Sequence, residues 1–385
     1  MDVKRLGSGR DVATFLESVA SAPFLAVDTE TSGLDPRTDR LLLVQFGTAD
    51  RQGVADASTV TASDLNPIFR ADRPVVFHNA KFDVEMLWSA YGRGLAIERA
   101  QIVDSMLAEC LLRNGCGSEL PTRGFSLEAL ASRYAGMALD KSVRRSFVGA
   151  SSSWELSEAE LAYAARDVEA TWKVFASQLP LLERDGLLRA LAIEGAAVSA
   201  FADMELRGVP FDGAGWRGIL ARETEARAVA MAELDRAFEK VADVDLFGKS
   251  TLAYDSDAAM LGALGALGIV VASTRREVLA ATGHPAAIAL ARYREHQKLV
   301  STYGESFLSH VHPKTGRIHG RFHSMGAITG RASCRDPNLQ NVPADSAFRH
   351  CFVAPPGRKL VTADYAAAEL RILAEMSGDP VFTEA

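Results

Sequence analysis

The segment FLAVDTETSGLD, residues 24–35, limits the fold of this chain more than any other segment. Its apolar start predicts a buried strand, but the run ends in two acids one residue apart, Asp28 and Glu30. Residues i and i+2 of a strand point to the same side, so the two carboxylates project together. Because such anions repel each other, they need a cation or a shared proton. Taken alone, such a pair is usually a solvated turn, so a metal site requires further acids.

The first half of the chain alternates short apolar runs with helical patterns, which is typical of an α/β domain. The predicted strands are 24–28, 41–47, 74–78 and 101–104, and the predicted helices are 10–20, 81–91, 105–113, 126–134 and 157–178. From about residue 187 to 310 the periodicity is almost entirely helical, and Pro and Gly then set turns between short strand-like pieces. We therefore divide the chain into segments 1–185, 186–310 and 311–385.

The charge balance is acidic, with 49 Asp and Glu residues against 42 Lys and Arg residues. This balance argues against nucleic-acid binding through bulk charge, but it allows local basic surfaces or bound metal ions. The start of the chain lacks the apolar core of a signal peptide, and no apolar run is long enough to span a bilayer. The four cysteines show no CxxC spacing, which favours reduced thiols. We expect a monomeric cytoplasmic protein without a membrane partner.

A second acid-bearing segment is VVFHNAKFDVEML, residues 75–87. A strand is predicted to end near His78, and Asn79 is expected to cap the helix that follows. Asp83 then lies in the first turn of that helix.

The third segment is LSEAELAYAARDVEATWKVF, residues 156–175. Ser157 and Glu160 have the spacing of a capping box, so a helix is predicted to start there. Asp167 falls in an otherwise apolar stripe of that helix, one turn after Tyr163, and a buried carboxylate needs a partner. Four acids on three elements suit hard divalent ions, and two such ions about 4 Å apart can hold the attacking and leaving oxygens of a phosphodiester.

These three segments, in this order, resemble the motifs of the DEDD 3′→5′ exonucleases, in the subtype that carries a tyrosine. The resemblance implies an α/β ribonuclease H-like domain, with a mixed sheet flanked by helices, and two bound Mg²⁺ ions for which Mn²⁺ can substitute. It implies metal binding by Asp28, Glu30 and Asp167, support of the second ion by Asp83, positioning of the attacking water by Tyr163, and contacts to nucleic acid by Asn79 and Phe82.

Residues 126–147, SLEALASRYAGMALDKSVRRSF, resemble the segment between the last two motifs in the proofreading and RNase D-like branches. Lys141, Arg144 and Arg145 form a short basic cluster in this segment. Two interpretations of the cluster stay open: a solvated helix end, or a surface that guides a nucleic-acid strand.

The rest of the chain resembles the family A DNA polymerases, in a mainly helical thumb and a partial α+β palm. The resemblance rests on FADMELRGVPFD (201–212), STRREVL (273–279), YREHQKLVSTY (293–303), KTGRIHGRFHSMGAITGRASCRDPNLQNVP (314–343) and FRHCFVAPPGRKLVTADYAAAELRILAEMSGDP (348–380). The last segment resembles palm motif A, in which a strand-like KLVTAD leads to Asp364. Ala366 and Ala367 depart from the motif, which carries a polar pair there.

The resemblance assigns roles to single residues of these segments. It implies DNA contacts by Lys298, Arg331, Asn338 and Gln340, metal binding by Asp364, and exclusion of a ribose 2′-hydroxyl by Glu369. Arg331 is a rigid fork of donors suited to minor-groove acceptors, while neutral amides can follow a duplex without preferring a sequence.

The leading hypothesis is a proofreading 3′→5′ exonuclease from a family A DNA polymerase of a bacterial or phage-infected cell. Its partners would be single-stranded 3′ ends and primer–template duplex. The fingers helix and the second palm aspartate do not follow Asp364, so we expect polymerisation and dNTP binding of a longer parent and not of this chain. Two alternatives remain: RNA trimming of the RNase D kind, and a non-catalytic primer–template clamp.

Overall fold

The computed structural model describes residues 2–114, 124–151, 154–242, 250–343 and 346–384. The chain groups into two compact units. The first unit comprises Met1–Gly208, Ser309–His312 and Ile318–Val342, and the second comprises Val209–Leu308, Pro313–Arg317 and Pro343–Ala385. The division into three segments made from the sequence stays a prediction.

The described residues form strands and helices close to those predicted for the first half of the chain. The strands are β1 (Asp2–Leu6), β2 (Leu25–Thr31), β3 (Leu41–Gly47), β4 (Arg51–Asp56), β5 (Pro74–Phe77), β6 (Gln101–Asp104), β7 (Val209–Pro210), β8 (Arg317–Ile318), β9 (Arg321–His323) and β10 (Ser333–Arg335). The helices are α1 (Gly9–Ser18), α2 (Ala62–Leu65), α3 (Ala80–Tyr91), α4 (Ser105–Arg113), α5 (Leu127–Ala135), α6 (Arg144–Phe147), α7 (Glu158–Arg184), α8 (Leu188–Arg207), α9 (Gly213–Phe238), α10 (Asp257–Ala266), α11 (Arg276–Ala281), α12 (Pro285–Thr302), α13 (Glu305–Leu308), α14 (Ser346–His350), α15 (Ala368–Ser377) and α16 (Pro380–Glu384). None of the helices in the described ranges is long and apolar enough to cross a bilayer.

The first unit is built on a six-stranded sheet in the order β1-β4-β3-β2-β5-β6. β2 pairs antiparallel with β3 and parallel with β5, so the acid-bearing strand lies inside the sheet. β1 pairs parallel with β4, and β5 pairs parallel with β6. The mixed sheet with flanking helices confirms the fold class expected from the sequence.

Alternate residues of the strands pack on opposite faces of this sheet, as the pleat of a strand requires. Leu25 and Val27 belong to a core on one face that includes residues of α1, α3 and α8. On the other face, Val76 packs with Phe175 of α7, and Leu43 packs with Tyr163 of the same helix. Helices α3 and α7 therefore flank the sheet from opposite sides.

The predicted capping box at the start of α7 is confirmed. The Glu160 carboxylate accepts a hydrogen bond from the Ser157 backbone amide at 2.9 Å, and Ser157 Oγ accepts one from the Glu160 amide at 3.3 Å. These reciprocal bonds satisfy two amides that have no partner within the helix. The cap fixes where the helix begins, and hence the position of Tyr163 and Asp167 along it.

The second unit is mainly helical, as the periodicity predicts. One core includes Leu234, Phe238, Met260 and Leu290, which are fully buried.

A second cluster of this unit surrounds Trp216. Its ring stacks on Phe307 at 4.6 Å and meets Phe348 edge-on at 4.7 Å, and its indole N–H donates to the Tyr303 carbonyl at 2.8 Å. This packing holds the segment that contains α14 against α9 and α13.

One predicted strand is absent: the segment KLVTAD, residues 359–364, has no regular secondary structure and is exposed. A strand is stable only when its backbone groups pair with a neighbouring strand. No pairing partner for this segment exists among the described residues. The apolar pattern alone therefore does not make it a strand.

Candidate active site

Three of the predicted metal ligands meet in one cluster. Asp28 and Glu30 project from β2 and Asp167 from α7, and one oxygen of each lies within 4.8 Å of the other two. Glu30 is 7% exposed and Asp167 is 5% exposed. Carboxylate oxygens at this spacing form a donor set that can hold a hard divalent ion.

The fourth acid, Asp83 of α3, is buried beside this cluster. It accepts a hydrogen bond of 2.6 Å from Thr29 Oγ1, on the residue between the two β2 acids. Thr29 points to the α3 side of the sheet while its neighbours point to the α7 side, as the strand alternation requires. All four predicted acids therefore lie around the second half of β2 and line one cavity, and a hydrogen bond joins Asp83 to that strand.

Burial and repulsion from neighbouring carboxylates raise the pKa of Asp28, Glu30 and Asp83. The pKa of Asp28 rises to about 7, because of burial first and of the Asp167 charge second. Burial, followed by the charge of Asp28, also raises the pKa of Glu30 and of Asp83 well above the ordinary values. Such a group of carboxylates is stable in its charged form only beside a cation, so the residues present fit a divalent metal.

Lys141, from the basic cluster of the sequence analysis, points into the acids. Its Nζ donates to both Asp167 oxygens, at 2.7 and 2.9 Å, and to the Tyr163 hydroxyl oxygen at 3.3 Å. This residue is therefore not a solvated helix end. A further contact that the sequence analysis missed is Gln45, whose side-chain amide donates to Asp28 at 2.8 Å. Gln45 faces Asp28 in the register of β2 and β3, which only the strand pairing reveals.

The expectation that Asn79 caps α3 with its side chain is wrong. Asn79 occupies the N-cap position in a left-handed conformation, with φ of 65°, and its side chain makes no capping hydrogen bond. Asp104 caps instead, since its carboxylate accepts from the backbone amides of Asn79 and Ala80 at 3.0 and 2.9 Å. Asparagine tolerates this conformation better than most residues. Its side chain is left exposed at the rim of the acid cluster, where the sequence predicts contact with nucleic acid.

The four acids line a cavity of about 620 Å³ within the first unit. Asn79 and Phe82, the predicted nucleic-acid contacts of the middle motif, line it together with His78. Another part of the lining comes from the hairpin of β9 and β10 and includes His323, Ser324, Met325 and Arg335. This part of the lining was not predicted, because the sequence pattern placed the hairpin segment in the palm. No local pattern signals a contact between residues so far apart in the chain.

Comparisons with known proteins agree with this architecture. Residues 9–183 match the 3′-5′ exonuclease domain family, and residues 267–385 match DNA polymerase family A. The chain is thus similar to the 3′-5′ exonucleases in its first part and to the family A DNA polymerases in its last part. It is 30% identical to DNA polymerase I of Chloroflexus aurantiacus, over 96% of this chain and 41% of that protein. It is also 30% identical to DNA polymerase I of Pseudomonas aeruginosa, over 95% of this chain and 42% of that protein. The chain thus spans about two fifths of the length of these relatives.

A solved structure shares the fold. It is described as the POL domain of Pol1 from M. smegmatis in complex with DNA primer-template and dNTP. The similarity has a TM-score of 0.68 at 22% identity and covers 98% of this chain and 63% of that one. At this identity the likeness concerns the fold.

The lining of the acid cavity includes none of the residues predicted from the polymerase resemblance, which are Lys298, Arg331, Asn338, Gln340, Asp364 and Glu369. Asn338 and Gln340 are exposed near the hairpin of the first unit, where Asn338 Oδ1 accepts from the Gln340 amide at 3.1 Å. Lys298 is exposed on α12, and Glu369 lies in the first turn of α15. Asp364 belongs to no potential metal cluster among the described residues. The roles of these residues stay predictions.

Proposed function

We propose that this chain removes nucleotides from the 3′ end of DNA, as the proofreading exonuclease of a family A DNA polymerase. The observation that carries the proposal is the convergence of Asp28, Glu30 and Asp167 within 4.8 Å, with Asp83 beside them and an open cavity in front. The match of residues 9–183 to the 3′-5′ exonuclease family supports the same activity.

Each residue of the cluster has a role that follows from its contacts. Asp28, Glu30 and Asp167 would hold two Mg²⁺ ions, or Mn²⁺ in their place, and Asp83, oriented by Thr29, would support the second ion. Bound ions of this kind activate a water and stabilise the charge on the leaving oxygen. The Tyr163 hydroxyl lies one helical turn from Asp167 and would position that water. Burial raises the pKa of Tyr163 above its ordinary value, so the hydroxyl stays protonated and can donate a hydrogen bond.

The cavity suits a single strand better than a duplex end. Phe82 offers an apolar surface on which bases can pack, and His323 offers a flat ring. Stacking of this kind tolerates every base, because each base has a π face. Asn79 and Arg335 lie at the same cavity and can contact phosphate or sugar. A site that removes any mispaired nucleotide needs this lack of sequence preference.

The remaining predicted residues serve the polymerase function that we propose for the whole protein. Arg331, Asn338 and Gln340 would contact the primer–template duplex. Asp364 would bind metal for nucleotidyl transfer, and Glu369 would exclude ribonucleotides. The match of residues 267–385 to DNA polymerase family A supports these assignments.

The test is digestion of a 3′-labelled single-stranded DNA in Mg²⁺, in EDTA, and with dNTPs present. We expect metal-dependent release of mononucleotides, reduced at least about 100-fold in Asp28→Asn and Asp167→Asn, since loss of a metal ligand removes the ion that activates water. Glu17→Gln, an exposed acid on α1, is the matched control and should retain full activity.

Either of two outcomes would contradict the proposal and favour an alternative function. Faster digestion of a matched RNA oligonucleotide would favour RNA trimming. Tight duplex binding without any nucleotide release would favour a non-catalytic clamp.

A further inference from the structure

Lys141 occupies the position at the acid cluster where a cation is needed. Its ammonium contacts both oxygens of Asp167 at 2.7 and 2.9 Å, so it uses the whole carboxylate of a proposed metal ligand. It also donates to Tyr163 Oη at 3.3 Å and lies 5.2 Å from the centre of that ring. The group therefore binds the proposed ligand and the proposed water-positioning residue at once.

A divalent ion and this ammonium compete for the same oxygens. A metal bound to Asp167 needs at least one oxygen that the ammonium now uses, and the two cations repel each other at that distance. One positive charge does not balance Asp28, Glu30 and Asp167, which all lie within 4.8 Å. In their ionised form the three acids carry more negative charge than Lys141 can balance, so they still attract a doubly charged ion.

The surroundings of Lys141 allow its side chain to leave while its backbone stays. Phe147, which is 1% exposed, packs against the rings of Tyr163 and Trp154 at 6.1 and 5.8 Å. Ser146 Oγ donates to Glu160 at 2.6 Å, which also fixes α6 to α7. The Lys141 side chain itself is 32% exposed and has a flexible four-carbon stem, so it can turn toward solvent.

We propose that Lys141 is an internal counter-ion of the acid cluster: it holds the acids together without a divalent ion and is displaced when the ion binds. This inference rests on the proposed metal site. It assigns Lys141 a positioning role, which stabilises the ion-free protein and weakens the apparent affinity for metal. The exchange needs no movement of the backbone.

The test measures Mn²⁺ binding by calorimetry and by electron paramagnetic resonance, using the full chain. Lys141→Met should bind Mn²⁺ on the order of tenfold more tightly, because the competing charge is gone. In EDTA the same variant should melt about 2–4 °C below the wild-type protein, and saturating Mn²⁺ should remove that difference. Lys141→Arg should restore the melting temperature in EDTA, since it restores the charge.

Lys173→Met is the matched control. Lys173 pairs with Glu169 at 2.6 Å on the same helix as Asp167, outside the cluster, so its loss should leave Mn²⁺ affinity unchanged. If the wild-type protein binds Mn²⁺ and Lys141→Met binds it equally or more weakly, the counter-ion role of Lys141 is overturned and the proposed function stays intact. An equal loss of melting temperature in EDTA and in Mn²⁺ would show an ordinary structural ion pair. A wild-type protein that binds no Mn²⁺ would overturn the proposed function together with the inference.

Discussion

We predict that the contacts of Lys81 hold the hairpin of β9 and β10 against helices α3 and α8 of the first unit. The Lys81 ammonium, on α3, contacts the Glu205 carboxylate of α8 and donates to the Phe322 carbonyl of β9. The same Glu205 carboxylate accepts the Phe322 amide at 2.5 Å. Lys81 and Glu205 are 19% and 5% exposed, so this is a largely buried ion pair that also satisfies a strand backbone.

Replacing Lys81 by Met keeps most of the volume and removes the charge. The change leaves the Glu205 carboxylate buried beside Glu85, whose pKa is already raised to about 9 by burial and by Glu205. Removing one partner of a buried ion pair costs about 3–5 kcal/mol. Because Lys81 is partly exposed, we expect a loss of about 3 kcal/mol, the lower end of that range.

The assay combines urea unfolding with hydrogen exchange followed by mass spectrometry. We expect faster exchange in residues 318–335 of Lys81→Met, and a KM for single-stranded DNA that rises more than kcat falls, because His323 and Met325 line the cavity. Lys4→Met is the control, since Lys4 and Asp2 form an exposed pair at 3.4 Å that should contribute about 0.5 kcal/mol or less. A loss below about 1 kcal/mol in Lys81→Met, with unchanged exchange in the hairpin, would refute the reasoning.

Three further predictions concern stability. Asp104→Ala should lower the free energy of unfolding by at least about 2 kcal/mol, because it leaves the backbone amides at the starts of α3 and α4 without an acceptor. Asp104→Asn keeps an acceptor oxygen and should lower it less. Equal denaturation midpoints for both variants and the wild type would contradict this prediction. Burial and the Lys141 charge lower the pKa of His78 to about 4, so between pH 6.5 and 4 the unfolded chain binds a proton that the folded chain does not. Stability should therefore fall by up to about 3 kcal/mol as the pH drops through this window, and His78→Gln should flatten the dependence; a parallel pH profile for the variant would count against it. Trp216→Ala should lower the free energy of unfolding of the second unit by about 3–5 kcal/mol, because Trp216 is fully buried. Near-ultraviolet circular dichroism on heating measures this change. A decrease of less than about 1 kcal/mol would mean that the aromatic cluster contributes little to stability.

Several elements of the first unit could be predicted because their signals are local. The apolar run before Asp28, the capping box before α7 and the alternation of strands and helices involve residues close in sequence. The strands β1 and β4 were missed for the opposite reason. β1 is an edge strand with charged residues, Lys4 and Arg5, and it becomes a strand because it pairs with β4. The segment 359–364 shows the converse, since a strand-like pattern that finds no partner among the described residues forms no strand.

The same distinction between local signals and tertiary contacts applies to the candidate site. The sequence by itself determined the four acids, the tyrosine and the order in which they occur, because strand and helix periodicity fix the direction of each side chain. Only the tertiary structure decided that Lys141 enters the acid cluster, that Asp104 and not Asn79 caps α3, and that a hairpin more than 150 residues after Asp167 lines the same cavity. These contacts join side chains that no short-range pattern relates. They depend on how the sheet and its helices pack, and that packing is set by the burial of the whole core rather than by any one segment.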